Sequence, residues 1–550
     1  MIIQLPVKQK SQIIANLKRN WYFPISAMAF FCLSIYKSLG YCIGLPIAFV
    51  MMIVFASQSS SIWGYVKKHT AGEKFFCFAS AVGICLGNQT VFYEKILKIT
   101  STFSLPLIFN KLILLVSYFG AIFALIFVFF CILFFWQALK RIILENNIGK
   151  GIKKTEWVIY GILILISLGF MIYSFSHSQA FYGTKFNYDI IYTSDSPILA
   201  KKNVYLVLTH PENDLRQPLF AVFSAPFIGI PYLIARLVGA CQSVQAILIN
   251  SVQIIMLFVA NFMLAKMMKL DGLKRICFMM LTSVTYTQLL FTLMMEQYIV
   301  SYFWLVFCIY LIIEKKQADR IVLFGTGGTL LTSIALFPFS TDKSPIKNFK
   351  LWIVDMIKHA TEFVVTMLAF CRFDVFFDIV PKISFLSTFT GEKVAFTDKI
   401  YQYTNFISDC FVSPDTCVKK YVSGRIAWQL NTPTSIDYVG IIILVLVVVS
   451  AILNRNKKSS IISLYWVAFS AIMLLGLGWG TKENGLILYS LYFGWAFLIL
   501  LLQLVEKIED KLNIRFLFPL VTLCATVSFL IINIPAIVEM VNFAIVNYPA

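Results

Sequence analysis

Runs of roughly 20 apolar residues recur along this chain, each long enough to cross a hydrocarbon layer about 30 Å thick. Inside a bilayer every backbone N–H and C=O must be bonded within the protein, which admits helices and closed barrels. Barrel strands alternate apolar and polar residues, and these runs do not. The expected fold class is an all-α polytopic membrane protein with about 13 transmembrane helices and two large outer-face loops. Composition agrees: 13% of residues are charged, against about 25% in soluble domains.

Spans are expected at 22–37, 40–57, 75–92, 113–136, 157–176, 242–267, 276–292, 297–313, 320–338, 437–453, 460–478, 485–504 and 515–536. Short basic clusters fall between them: Lys67 with Lys68 and Lys74, Lys140 with Arg141, Lys266 with Lys269, and Lys457 with Lys458. Such clusters mark inner-face loops. The net charge of +19 is accounted for by these loops and by anionic lipid, not by nucleic acid. The segment 219–238 carries Pro226, Gly229, Pro231 and Arg236, and is expected to be interfacial or half-inserted. In 351–370, Asp355, Lys358, His359 and Glu362 recur at helical spacing, which predicts an amphipathic helix on the surface.

The chain then divides into N-terminal membrane helices (1–156), a membrane core with a first outer loop at 177–241 (157–338), a second outer loop (339–436) and C-terminal membrane helices (437–550). The carboxyl end falls outside. Met1–Asn20 is basic, but no small-residue cleavage site follows it. Most of the twelve cysteines lie inside spans and no C-x-x-C pair occurs. Cys410 and Cys417, in the second loop, could pair in an oxidising compartment.

Chemistry concentrates in 186–220, where Asp189, Asp195, His210, Glu212, Asp214 and Arg216 follow a span. Asp195, in Thr193-Ser194-Asp195-Ser196, is a turn or helix cap on the ordinary reading and a general base on the functional one. Asp189 is its rival. Arg216 either snorkels at the interface, paired with Asp214 or Glu212, or holds a phosphate through two parallel hydrogen bonds. His210 titrates near neutrality or simply bonds within the loop. Glu296 and Glu483 sit at short turns, where solvation is the plain reading and substrate contact the sharper one. Gly325-Thr326-Gly327-Gly328 lacks the Lys and Ser/Thr of a phosphate loop and suits close helix packing.

A span followed by an outer loop, with Asp195 near its start and Arg216-Gln217-Pro218-Leu219-Phe220 at its close, resembles the C-type superfamily of integral-membrane glycosyltransferases. Its mannosyltransferases and aminoarabinose transferases use polyprenyl-phosphate sugars. In this chain Gln217 stands where the family's closing motif has histidine. The resemblance implies a multi-pass glycosyltransferase, expected in a bacterial inner membrane, with a polyprenyl-phosphate-sugar donor and a glycan or lipid acceptor of the cell envelope. It implies Asp195 or Asp189 as catalytic base. Arg216, His210, Asp214, Glu296 and Glu483 would bind substrate. The resemblance fixes no cofactor, and a divalent cation stays open. The rival readings are a polysaccharide polymerase and a transporter or flippase of lipid-linked sugars, which would place charges near the midplane and show internal symmetry.

Overall fold

The computed structural model describes residues 7–34, 45–89, 92, 107–183, 188–196, 199, 203–208, 216–239, 241–315, 318–341, 343, 347–371, 379–422 and 424–550. Among them, seven helices are long and apolar enough to cross a membrane: Phe119–Glu145, Lys154–His177, Phe220–Leu237, Gln242–Met267, Lys458–Gly476, Leu486–Leu512 and Leu517–Asn547. Four shorter apolar helices accompany them: Tyr22–Leu33, Leu45–Gln58, Tyr298–Glu314 and Tyr438–Leu453. The chain is an all-α membrane protein. Its sheet among the described residues is one antiparallel hairpin, Thr416–Lys420 against Ile426–Leu430.

The bundle has two chemically different ends. At one, Lys266 donates to the carbonyls of Asn147 and Ile148 at 2.9 Å each. Arg141 pairs with Asp319 at 3.3 Å, and Lys457 with Glu506 at 2.8 Å. At the other end, Gln242 Nε2 donates to Tyr182 O at 3.2 Å, so Gln242–Met267 runs back alongside Lys154–His177. The loop after His177, the hairpin, the 479–485 turn and the carboxyl terminus gather here. Trp428 N donates to Ile190 O at 2.8 Å and Tyr192 N to Trp428 O at 2.7 Å. Asn484 Nδ2 donates to Asn431 O at 2.9 Å, and Gln179 N to Tyr548 O at 2.9 Å. The hairpin therefore lies as an added strand over the Asp189 stretch.

Buried amides tie the core together where water is absent. Asn250 Nδ2 donates to Thr292 O at 2.8 Å, and Asn261 Nδ2 to Gln288 Oε1 at 2.9 Å. The Ala71–Gly87 and Phe220–Leu237 helices meet backbone to backbone: a Cβ on Gly83 would lie 1.8 Å from Gly229 O. Small residues permit such contact. Phe220–Leu237 stays helical through Pro226 and Pro231 and is long and apolar enough to cross by length and composition, but Gln242, just beyond it, bonds Tyr182 on the side of the Asp189 loop, so the segment returns to the side where it began.

Several expected elements are corrected. The segment 320–338 does not cross. Arg320–Thr329 rises as a helix, Leu330 is extended, and Leu331–Phe339 returns as a 3₁₀ stretch. Ala318 N donates to Ser340 O at 3.1 Å, so the segment ends where it began. The start of the 339–436 loop thus lies at the basic end, not with the outer loops. The glycines explain the hairpin, since Gly325 abuts Trp304 and Gly328 abuts Leu219 too closely for any Cβ. The 276–292 span is two helices, Gly272–Ser283 and Tyr286–Thr292, parted where Thr285 caps the second.

The helix expected at 351–370 is present as Phe349–Cys371, but its faces are reversed from a surface helix. Glu362 pairs with Arg320 at 3.2 Å and Asp355 accepts from Thr341 at 3.0 Å, both on the re-entrant segment. Phe349, Leu351, Val354 and Ile357 point outward and are exposed. Asp355 and Glu362 turned inward and these apolar groups outward suit lipid, while Lys350 and Lys358 stay exposed. Cys410 and Cys417 are free thiols, the first buried on a helix C-cap and the second in the hairpin.

Candidate active site

Asp189 and Asp195 are positioned by backbone. Ile190 and Tyr192 pair with Trp428, and Tyr192 takes a left-handed φ of 52° that turns the chain back under the hairpin. Thr193 then packs on Gly485, where a Cβ would lie 2.6 Å from its Oγ1. This contact seats the 479–485 turn, and with it Glu483, beside the Asp189–Asp195 stretch.

Glu296 is delivered from below. Gln253, on the Gln242–Met267 helix, donates to Glu296 O at 2.6 Å and to Tyr205 OH at 3.2 Å. Ser196 Oγ donates to Glu296 Oε1 at 3.2 Å, while Oε2 is buried and without a partner among the described residues. The solvated turn expected at Glu296 is corrected: the residue is 0% exposed, because the Asp195 loop covers it. Glu483 and Lys482 are exposed, as a turn requires.

These acids feel one another. Burial first, then Asp195 and Glu483, push the Asp189 carboxyl up to about 7. Burial, with Asp195 next, holds Glu296 well above the usual carboxylate range, against the opposing Ser196 hydrogen bond. Asp189, half-buried, and Glu296, fully buried, are thus both held above the usual carboxylate range beside Asp195, the kind of perturbed set that acid–base chemistry uses.

Arg216 enters by a different route. Its carbonyl accepts from Leu331 N at 2.8 Å, and Leu219 N donates to Gly328 O at 2.8 Å. The closing motif is thus docked onto the break in the re-entrant hairpin, and Gln217 Nε2 reaches Ser301 Oγ at 3.4 Å. The guanidinium lies over the Phe389 ring, 4.8 Å from its centre. Phe389 O accepts from Gly480 N at 3.0 Å. Asp195, Glu483 and Arg216 all lie within electrostatic reach of Tyr489.

Below Arg216 a cavity of about 180 Å³ opens, with Arg216, Gln217 and Gln297 as polar groups and Leu331, Met473 and Phe493 among its apolar walls. Met473 and Leu474 reach it from a π-helical turn, Ala471–Gly476, that interrupts the helix begun at Lys458. π-turns of this kind often mark functional sites.

Asp189, Asp195, Glu296, Glu483 and Arg216 therefore meet in one region. His210 and Asp214 lie outside the described residues. Gln297, Tyr298, Tyr489 and Phe389 also belong to the site and escaped the sequence reading. The glycine-rich turn Gly476–Gly480 signals the part near Tyr489, whereas nothing local marks Phe389. No group of three or more His, Cys, Asp or Glu among the described residues is placed to hold a metal ion. A carboxylate set above a guanidinium, opening onto an apolar cavity, can remove a proton and stabilise a leaving anion whose tail is apolar. No family model, curated protein or solved structure matches this chain.

Proposed function

We propose that the protein is a membrane glycosyltransferase that moves a sugar from a polyprenyl-phosphate donor to a cell-envelope acceptor. The observation that carries this reading is the junction of Arg216 with the cavity. A guanidinium suits phosphate through paired hydrogen bonds, and the apolar walls suit the first isoprene units. Above it, Asp195 takes the proton of an acceptor hydroxyl. The acceptor oxygen forms its bond to the anomeric carbon from the opposite face. The carbon–phosphate-oxygen bond breaks, and its electron pair leaves on the prenyl phosphate held by Arg216. The product is inverted, with about 13 helices as the full frame.

Arg216→Lys keeps the charge and loses the fork. The apparent KM for a polyprenyl-phosphate sugar is expected to rise with expression unchanged. An unaltered KM would remove Arg216 from the donor site.

One observation favours a second reading. Glu296 is a fully buried acid next to a re-entrant segment, and both features serve transporters of ions and lipid-linked sugars. Reconstituted vesicles separate the two. A transferase makes a glycosidic bond in detergent, while a flippase makes none and moves labelled lipid-linked sugar between leaflets.

A further inference from the structure

A second cavity, of about 190 Å³, lies under the second loop, between the Phe396–Asp409 helix and the 430–435 segment. Polar groups dominate it. Asp409 and Asp415 bring carboxyls, Gln402 and Asn405 bring amides, and Thr432 and Thr434 bring hydroxyls. Phe406, Pro414 and Pro433 give flat apolar walls. The space far exceeds the ~10–15 Å³ that one water needs. Gln402 is 6% exposed, and its Oε1 accepts no hydrogen bond among the described residues. An orphan buried amide oxygen in a polar cavity implies a donor that arrives with a ligand.

The lining sorts the ligand classes. It contains no Lys, Arg or His, so an anion finds no counter-charge. Burial, with Asp437 and Asp415 next, holds the Asp409 carboxyl well above the ordinary carboxylate range. The amides of Gln402, Asn405 and Asn484 and the hydroxyls of Thr432 and Thr434 both donate and accept, which suits a ligand rich in hydroxyls better than a cation. Asp437 is already engaged as the helix cap at Val439 and Gly440.

We propose that this cavity binds a neutral saccharide unit, the terminal sugar of the acceptor. The ligand class rests on the cavity alone, and the word acceptor rests on the transferase reading. The cavity connects to the active site through Asn484, which lines it, follows Glu483, and donates to Leu430 O and Asn431 O at 3.3 and 2.9 Å.

The test is saturation-transfer NMR on the full chain in a detergent without a sugar headgroup. The probes are free mannose, glucose, galactose and N-acetylglucosamine. At least one is expected to bind, at least tenfold more weakly to Gln402→Leu and Asp409→Leu, and unchanged to Arg216→Lys. Hydrogen exchange on the wild type provides a readout free of mutation: the bound sugar should protect 402–409 and 430–435. Binding of none of the four, binding indifferent to both variants, or protection elsewhere overturns the proposal. So does displacement of the sugar by calcium alone, which would mark a cation site. Saccharide binding by a chain that transfers nothing leaves this inference standing and sinks the transferase reading.

Discussion

Burial and two neighbouring acids oppose the Asp189 charge and push its carboxyl up to about 7, so it is only part-ionised at neutrality. A carboxyl whose folded pKa is raised from 3.8 to about 7 stabilises the fold below pH 4 and loses that contribution as pH climbs through 7. Thermal stability in detergent is expected to fall between pH 4 and 7, and Asp189→Asn should flatten that slope. Removing the Glu483 charge should lower the Asp189 pKa, so Glu483→Gln moves the inflection to lower pH. An inflection that ignores both variants would mean another group titrates. For transfer, Asp195→Asn removes the basic oxygen and keeps the shape. Its rate should drop by about 10²–10⁴-fold with expression intact. Activity that survives in Asp195→Asn but vanishes in Asp189→Asn would exchange their roles.

At the scale of elements, two contacts hold the site together. The Gly83–Gly229 crossing fixes Phe220–Leu237, and so fixes the closing motif that precedes it. Gly83→Leu drives a side chain into a backbone carbonyl that cannot move aside. The expected loss is at least the ~1–3 kcal/mol of an overpacked core, read as a lower melting temperature, while Gly72→Leu, with nothing near its Cβ, serves as the control. The Trp428 ladder is the second contact. Deleting the hairpin tip should leave the membrane helices folded and loosen the 188–196 stretch, seen as faster amide exchange there. Unchanged exchange would show that the hairpin does not hold that stretch.

For the whole molecule, the re-entrant segment changes the sidedness of everything up to Phe349. Lys482→Cys and Val422→Cys should label from one side of the membrane. Lys269→Cys, Lys507→Cys and Lys350→Cys should label from the other. Lys350 is the discriminating position, because a crossing at 320–338 would place it with Lys482. Labelling of Lys350→Cys from the Lys482 side would restore that crossing.

The sequence by itself determined the solvent of this protein. Apolar runs and charge clusters are local properties, so they foretold helices, two unlike ends, and a loop from Asp189 to Arg216 in which acids and a guanidinium meet. Tertiary structure decided what depends on partners distant in sequence. Helical apolarity reads alike in a crossing and in a hairpin, so only the Ala318–Ser340 hydrogen bond revealed that 320–338 turns back. Phe349–Cys371 is amphipathic either way, and the Glu362–Arg320 pair chose which face turns inward. Glu296 resembles a solvated turn until the Ser196 loop closes over it. Phe389 has no local mark, because its role comes from lying under Arg216, far away along the chain.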